Sequence, residues 1–491
     1  MSPDHFFQAQ IFQEIFHKLL ELCNESYLVG GTVRDALLGR STISDFDIAV
    51  DGDGYELARL LAGSLSINAT FVPLDKVRRV GRVVAPMSPI SVIDVSTFKG
   101  PTISDDLCAR DFTINSMAAH LWDILAGRFS EAIIDPVGGR DDLAGHTIRI
   151  SSETSFESDP LRMIRAFRFE AQLNFGIDRG TLLQIKNMAH TIELVSGERM
   201  RDELTVILSS ENSHSIVSEM AEFGLLWSMF PALIPTLGFE QNRFHHLDVW
   251  RHTLSTLKNL ESIIAHLPEI LGDLSETVLS YLNEQLVPGR KRMWLLKLAV
   301  LLHDSGKPAS LTIDDQGRRR FFGHEKISGS IASAVGGSIK LASREVSALS
   351  LWVEGHMRTS ILCLEDASQR SMMRFCRDFG RDLIGLALLH LADLSASQGP
   401  ARSSNEFRQS ILGVRRILDI LAEQERMPSR PLLNGDELMS EFGLQQGPRL
   451  GAILRWLTTE QSLGAIKNKD QASEAVRRYL SMSEAELLKN K

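Results

Sequence analysis

Cysteine is scarce in this chain. Cys23, Cys108, Cys363 and Cys376 are scattered through 491 residues, and no two form a CxxC pair. That spacing suits free thiols in a reducing cytosol better than a disulfide framework or a zinc knuckle, so a cytoplasmic location is expected. Long apolar runs are also missing. The stretch from Trp294 to Leu302 is too short to span a bilayer and is interrupted by Lys297, so no membrane association is expected. The N-terminus is acidic and amphipathic, without the basic segment and apolar core of a secretory signal. Positive charge is not in excess: 53 Lys and Arg stand against 62 Asp and Glu, a formal net charge of −9. Such a field repels phosphates, so a nucleic-acid partner must meet local basic patches. No repeat of solenoid period and no low-complexity tract occurs.

What is present is the composition of an ordinary soluble globular protein, 43% hydrophobic and 23% charged, long enough for two to four domains. Phe7, Ile11, Ile15 and Leu19 recur four apart and predict an amphipathic helix over 7–24. Tyr27–Val29 reads as a strand running into Gly30-Gly31, with a short helix over Val33–Leu38. Phe46–Val50 and Ser91–Ser96 read as further strands. Strands and helices mix up to about residue 145, which predicts an α/β or α+β unit. From about residue 158 strand signals nearly vanish and helical periodicity dominates. Breaks fall at Gly176, Pro231 and Pro235, Pro288-Gly289, Gln398-Gly399-Pro400 and Pro428–Pro431.

The most informative stretch runs from Tyr27 through Gly30, Gly31 and Arg34 to Arg40, followed by Ser44-Asp45-Phe46-Asp47. A strand enters two glycines and then a helix start, a turn that lets backbone N–H groups approach a phosphate. Arg34, one turn into that helix, can reach the same phosphates. Asp45 and Asp47 flank Phe46 on a strand, so their carboxylates project from one face. Such a pair suits two hard cations like Mg²⁺, which activate an attacking 3′ hydroxyl and neutralise a leaving pyrophosphate. Asp94, on the later strand, is a candidate third ligand. A lone Gly-Gly is usually a turn and a lone Asp-x-Asp usually a solvated loop; the combination with Arg34 between them is what carries the reading.

Together these residues resemble the active-site signature of the class II tRNA nucleotidyltransferase and poly(A) polymerase family. Two more stretches agree: Asp106 to Met117, which contains Arg110-Asp111-Phe112-Thr113-Ile114-Asn115, and Asp159-Pro160-Leu161-Arg162 to Phe169. The resemblance covers roughly the first 210 residues. It implies a polymerase-β-like α+β head followed by an all-helical neck. It also implies catalytic metals on Asp45 and Asp47, and a triphosphate facing Gly30, Gly31 and Arg34. Arg110, Asp111 and Asn115 would contact the ribose and phosphates of the incoming nucleotide. Asp159 and Arg162 would read its base, the carboxylate accepting from the amino group that both C and A present beside an acceptor. Their i, i+3 spacing predicts one helix face, with Arg165 and Arg168 continuing the stripe toward phosphates. By itself that helix reads better as an ordinary amphipathic helix with surface arginines; the upstream motifs turn the reading to base recognition. Three departures from the family pattern are Ser158, where many relatives carry Glu, Ala109 in place of the first of two paired arginines, and a short segment between Phe98 and Asp106. In relatives a longer loop there is linked to switching from C to A addition, so CC-only addition stays open. Glu198-Arg199-Met200-Arg201-Asp202-Glu203 resembles the following helix start of the family and reads as structural support.

A second constellation is ordered His252, His303-Asp304, His324, His356 and Asp393. Its centre, Leu298 to Pro308, is an apolar helix ending in His-Asp. Imidazoles and carboxylates on helices are ligands of a divalent phosphohydrolase site. Any one of these histidines alone reads as a surface residue; the ordered set resembles the HD superfamily and implies a transition metal or Mg²⁺. In the tail, Leu433 to Leu438 and Gly447-Pro448-Arg449-Leu450-Gly451 resemble the family's tRNA-gripping segment, although a simple capping turn reads as well.

The expected organisation is a head over residues 1–145, a helical neck with the nucleotide-recognition helix and RNA-binding region over 146–235, an HD domain over 236–400 and a tRNA-binding tail over 401–491. The expected activity is addition of C, A or both to the 3′ end of tRNA from CTP and ATP. The rivals are a poly(A) polymerase, and a phosphohydrolase or RNA-binding regulator with a degenerate head. Nothing in the sequence fixes an oligomeric state.

Overall fold

Strand β1 (Ser26–Val29) is buried along its whole length, and the sheet grows outward from it on both sides. In the computed structural model, which describes residues 7, 9–40, 45–65, 68–85, 92–241, 247–363, 368–397, 404–426, 431–462 and 465–481, the other strands are β2 (Asp45–Val50), β3 (Thr70–Asp75), β4 (Val80–Val84), β5 (Val92–Thr97), β6 (Ala118–His120) and β7 (Ile133–Ile134). Their order is β3-β4-β5-β2-β1-β6-β7, with β2 and β5 parallel and every other pair antiparallel. The expected strands at 27–29, 46–50 and 91–96 are therefore β1, β2 and β5; Ser44 and Ser91 lie outside the described residues.

Strand alternation orients the catalytic candidates. Phe46 is buried on one face, where its ring meets Phe12 at 5.1 Å and Phe7 at 6.5 Å. The helix Gln10–Leu22 supplies Phe12, Ile15, Phe16 and Leu19 to that layer. Asp45 and Asp47, one residue to either side of Phe46, point to the opposite face.

The chain divides into two compact units. Met1–Ser210 with Ser215–Pro231 form the first, and Glu211–His214 with Ala232–Lys491 form the second. In the first, helices Leu161–Leu173, Arg179–Met188 and Gly197–Ser209, and helix Ser213–Glu222 from Ser215 onward, follow the sheet. A two-residue parallel ribbon, Thr147 with Gly176 and Ile148 with Ile177, ties the end of the mixed region to them.

In the second unit, helix Arg292–Leu302 is buried along its length, and it delivers His303-Asp304 at its end. Lys297, the charge that interrupts its apolar run, is neutralised by Glu261 at 2.9 Å. The second unit is not purely helical. Gln285–Val287 pairs with Arg290–Lys291, and Thr312–Ile313 with Arg319–Arg320. Strands of two or three residues are too short to generate an alternation signal, which is why periodicity alone misses them. The tail helices Gly435–Phe442, Pro448–Ser462 and Lys469–Ser481 close over their own core of Leu438, Ile453, Leu457, Ala472 and Val476. Asn434 caps the first of these reciprocally with Glu437, so the Leu433–Leu438 segment is a capping box here. The breaks expected at Gln398–Pro400 and at Pro428 fall outside the described residues. Among the described residues no helix is long and apolar enough to cross a membrane.

Candidate functional site

Gly30 takes φ +69°, a conformation glycine adopts without strain, and the chain turns there from β1 into helix Gly31–Leu37. A Cβ on Gly30 would lie 2.9 Å from Arg110 Nη1 and 3.1 Å from Asp47 Oδ2. The missing side chain thus leaves space that a guanidinium and a carboxylate already border. Val29 of β1 stands opposite Asp47 of β2, and Asp47 opposite Asp94 of β5. Burial raises the Asp47 carboxyl above its ordinary value, and the Arg110 charge partly offsets this.

The Arg-Asp-Phe-Thr segment forms a connected network. Arg34 Nη1 donates to Asn115 Oδ1 at 2.7 Å, and Asn115 Nδ2 donates to Asp111 Oδ1 at 3.1 Å. Asp111 Oδ2 meets Arg165 Nη2 at 2.6 Å. Burial would raise the Asp111 carboxyl, but Arg165, Asn115 and the Phe112 N–H together outweigh it and hold it below its ordinary value. Arg110 is held by Asp106 at 2.9 Å.

A cleft of about 1040 Å³ brings Asp47, Asp94, Arg110, Asp111, Asp159, Arg162 and Arg165 together. Arg78 and Arg79, at the turn between β3 and β4, and Lys99, just after β5, also line it; sequence reasoning did not single them out. The only signal they offered was basic charge next to a strand, which most exposed turns also carry. Burial and the Arg162 charge lower the Lys99 pKa.

Three expectations need correction. First, Asp159 and Arg162 do not share a helix face. Asp159 is extended between helix Ser155–Ser158 and helix Leu161–Leu173, because Pro160 disfavours the helical conformation in the residue before it. Both still face the cleft. Second, Arg168 does not continue a stripe toward phosphates. It pairs with Glu203 at 2.5 Å and covers the Phe169 ring at 3.9 Å, away from the cleft lining. Third, Asp94, the candidate third ligand, lines the cleft but is already paired: Arg82 on the neighbouring strand takes both its oxygens, at 2.7 and 2.8 Å.

In the second unit the six expected donors converge. They fall into two sets, His252, His303 and Asp393, and Asp304, His324 and His356, each with ligand atoms within 4.8 Å of one another. Asp304 lies between them, 3.3 Å from His303 Nε2 and 3.4 Å from His324 Nε2. The Nδ1 atoms of His303, His324 and His356 each face a backbone carbonyl, of Val300, Phe321 and Val353, at 2.7, 2.7 and 2.6 Å. A carbonyl only accepts, so Nδ1 carries the hydrogen and the Nε2 lone pair turns inward, the orientation of a metal-ligating imidazole. Burial lowers the His356 pKa to about 4, which keeps that ring neutral. Lys307 Nζ meets Asp304 at 2.6 Å. The donor set of mixed imidazole and carboxylate fits a divalent cation of intermediate softness.

Known proteins resemble this chain along almost its whole length. Residues 26–149 match the family described as Poly A polymerase head domain, and residues 174–237 the family described as Probable RNA and SrmB- binding site of polymerase A. An A-adding tRNA nucleotidyltransferase of Deinococcus radiodurans is 33% identical over 458 residues, 92% of this chain and 95% of that protein. A CC-adding tRNA nucleotidyltransferase of Geobacter sulfurreducens is 30% identical, over 93% of this chain and 91% of that one. The Thermotoga maritima CCA-adding enzyme solved with tRNA shares the fold, with a TM-score of 0.63 over 96% of both chains at 22% identity. Identity at that level across nine-tenths of both sequences, on a polymerase-β-like head, makes this chain an enzyme of the tRNA nucleotidyltransferase and poly(A) polymerase family.

Proposed function

We propose that this enzyme adds C, A or both to the 3′ end of tRNA, using CTP and ATP. The observation that carries the reading is one cleft bordered at once by Asp47 and by the pair Asp159 and Arg162. The first belongs to the transfer chemistry and the second to base choice. Asp45 and Asp47 offer hard carboxylate oxygens from one strand face, which fits Mg²⁺; bound there, the metal supplies activation of the 3′ hydroxyl and charge neutralisation of the leaving pyrophosphate. Gly30 and Gly31 admit the triphosphate, with Arg34 behind them, and Arg110, Asp111 and Asn115 border the ribose and phosphates. Asp159 accepts from the exocyclic amino group of C or A. Arg162 donates to the ring acceptor beside that amino group. Its Nη1 already serves Arg110 O and Ser155 Oγ, and its Nη2 serves Ala109 O; Nε–H has no acceptor among the described residues.

Which nucleotides are added is read from product length. Purified protein is given tRNA ending at the discriminator base, in C, or in CC, with CTP, ATP or both. Growth by one to three nucleotides that stops supports the reading. Long homopolymeric A tails would assign poly(A) polymerase activity instead, and no growth on any tRNA would leave the head without the proposed chemistry.

For the second unit we propose a metal-dependent phosphohydrolase site made by His252, His303, Asp304, His324, His356 and Asp393. The inward Nε2 atoms favour a transition metal, and the carboxylates Asp304 and Asp393 also admit Mg²⁺. The proposed division of labour is transfer in residues 1–145, base choice and RNA contact in 146–235, hydrolysis in 236–400 and a grip on the tRNA body in 401–491, in the cytoplasm.

A further inference from the structure

We infer that Arg199 is a positioning residue for base selection, because it fixes the plane of the Asp159 carboxylate. The inference rests on the reading of Asp159 as the acceptor for the base amino group. Arg199 lies in the first turn of helix Gly197–Ser209, 40 residues beyond Asp159. Its Nη1 donates to Asp159 Oδ1 at 3.2 Å and its Nη2 to Oδ2 at 2.6 Å. Two parallel N–H groups of a planar guanidinium set the orientation of a carboxylate as no single donor does. The Leu161 N–H also donates to Oδ1, at 3.2 Å.

Counting lone pairs shows what this does. An ionised carboxylate offers about four acceptor sites. Arg199 and Leu161 use three of them, two on Oδ1 and one on Oδ2. The remaining site is on Oδ2, so a base amino group has one direction of approach. Arg199 does not line the cleft, whereas Asp159 does, so the guanidinium acts through the carboxylate. Without Arg199, Asp159 keeps only the Leu161 N–H and its carboxylate can turn about its last bond. A turned carboxylate accepts as readily but no longer at one angle, so it discriminates less between an amino group beside an acceptor and other edges. Lysine at this position keeps the charge without the fork and cannot hold the plane. The Ser158 position bears on the same pair. Its hydroxyl is bonded back to Thr154 O at 3.0 Å, so residue 158 offers Arg199 no carboxylate, and Asp159 is the acidic partner that Arg199 engages.

The test is a competition of all four nucleotides on one tRNA substrate by the full-length enzyme, scored by the bases added. The variants are Arg199→Ala, Arg199→Lys, Asp159→Ala and the Arg199/Asp159 double alanine. The expected result is a rise of about tenfold in UTP and GTP incorporation relative to CTP and ATP for Arg199→Ala. Arg199→Lys should show the same direction, and it carries the test if the alanine variant does not fold. Arg199→Ala should add nothing in the Asp159→Ala background, and the KM for tRNA should not move. Equal slowing for every nucleotide would make Arg199 a scaffold residue and overturn the inference. Additive effects, or a raised KM for tRNA with a shallower salt dependence, would make it a phosphate contact and also overturn it. Unchanged selectivity in Asp159→Ala would sink the underlying base-reading role, a result distinct from a silent Arg199→Ala beside a responsive Asp159→Ala.

Discussion

Arg34 Nη1 donates to Asn115 Oδ1 at 2.7 Å, joining the glycine turn to the Arg-Asp-Phe-Thr segment across 81 residues of sequence. Asn115 passes the connection on to Asp111, and Asp111 to Arg165. Replacing Asn115 with alanine leaves a buried guanidinium and a buried carboxylate each short of a partner. We expect a loss of about 1–3 kcal/mol of stability, read by urea unfolding, together with a higher KM for CTP and ATP. A variant with native stability and native KM would show that the bridge is dispensable.

Asp45→Ala and Asp47→Ala should each abolish nucleotide addition. The Asp47 variant should melt no lower than the parent, because burial raises the carboxyl's pKa and its ionised form therefore costs stability. Nucleotide incorporation and thermal unfolding, measured on the same preparations, check both halves. Residual activity near the parental level in either variant would remove that residue from the chemistry.

Gly30→Ala should fail for two independent reasons. Its φ of +69° strains any L side chain, and the new methyl would press on Arg110 and Asp47. The expected cost is about 1 kcal/mol or more in stability, with a loss of activity larger than stability alone explains. Single-turnover addition at a temperature where the variant is fully folded separates the two.

His303→Ala with Asp304→Ala should empty the second-unit site of metal and end any metal-dependent phosphodiesterase activity while sparing nucleotide addition. Metal content by mass spectrometry and hydrolysis of a chromogenic phosphodiester are the readouts. If hydrolysis persisted in this variant and disappeared in Asp45→Ala, the activity would belong to the head.

Glu170 and Glu219 make the stability of the first unit depend on pH. Burial, reinforced by the neighbouring Glu219 charge, raises the Glu170 pKa from an ordinary 4.5 to about 8, and Glu219 is raised as well. A folded-state pKa above the unfolded one means that folding takes up a proton. The contribution is therefore complete below about 4.5 and is lost as pH climbs to about 8. Glu170→Gln should flatten that decline, seen as a smaller drop in melting temperature between pH 5 and pH 8.5. An identical pH profile in parent and variant would exclude this pair as its source.

The sequence by itself determined the local pieces of this protein. The alternation around Phe46 put Asp45 and Asp47 on one face, and Gly30 marked the turn, because both depend only on neighbouring residues and backbone sterics. The ordered histidines and aspartates likewise marked a donor set before any distance was known. The tertiary structure alone decided which charges are engaged. Arg82 holds Asp94, Glu203 draws Arg168 from the cleft, and Arg199 takes the carboxylate of Asp159. Each of those pairs joins separate segments of the chain, 12 residues apart for Arg82 and Asp94 and 40 for Arg199 and Asp159. Spacing along one helix or strand carries no information about them. The Lys99, Arg78 and Arg79 lining was hidden for the same reason: a basic turn becomes part of a site only when the fold lays it beside one.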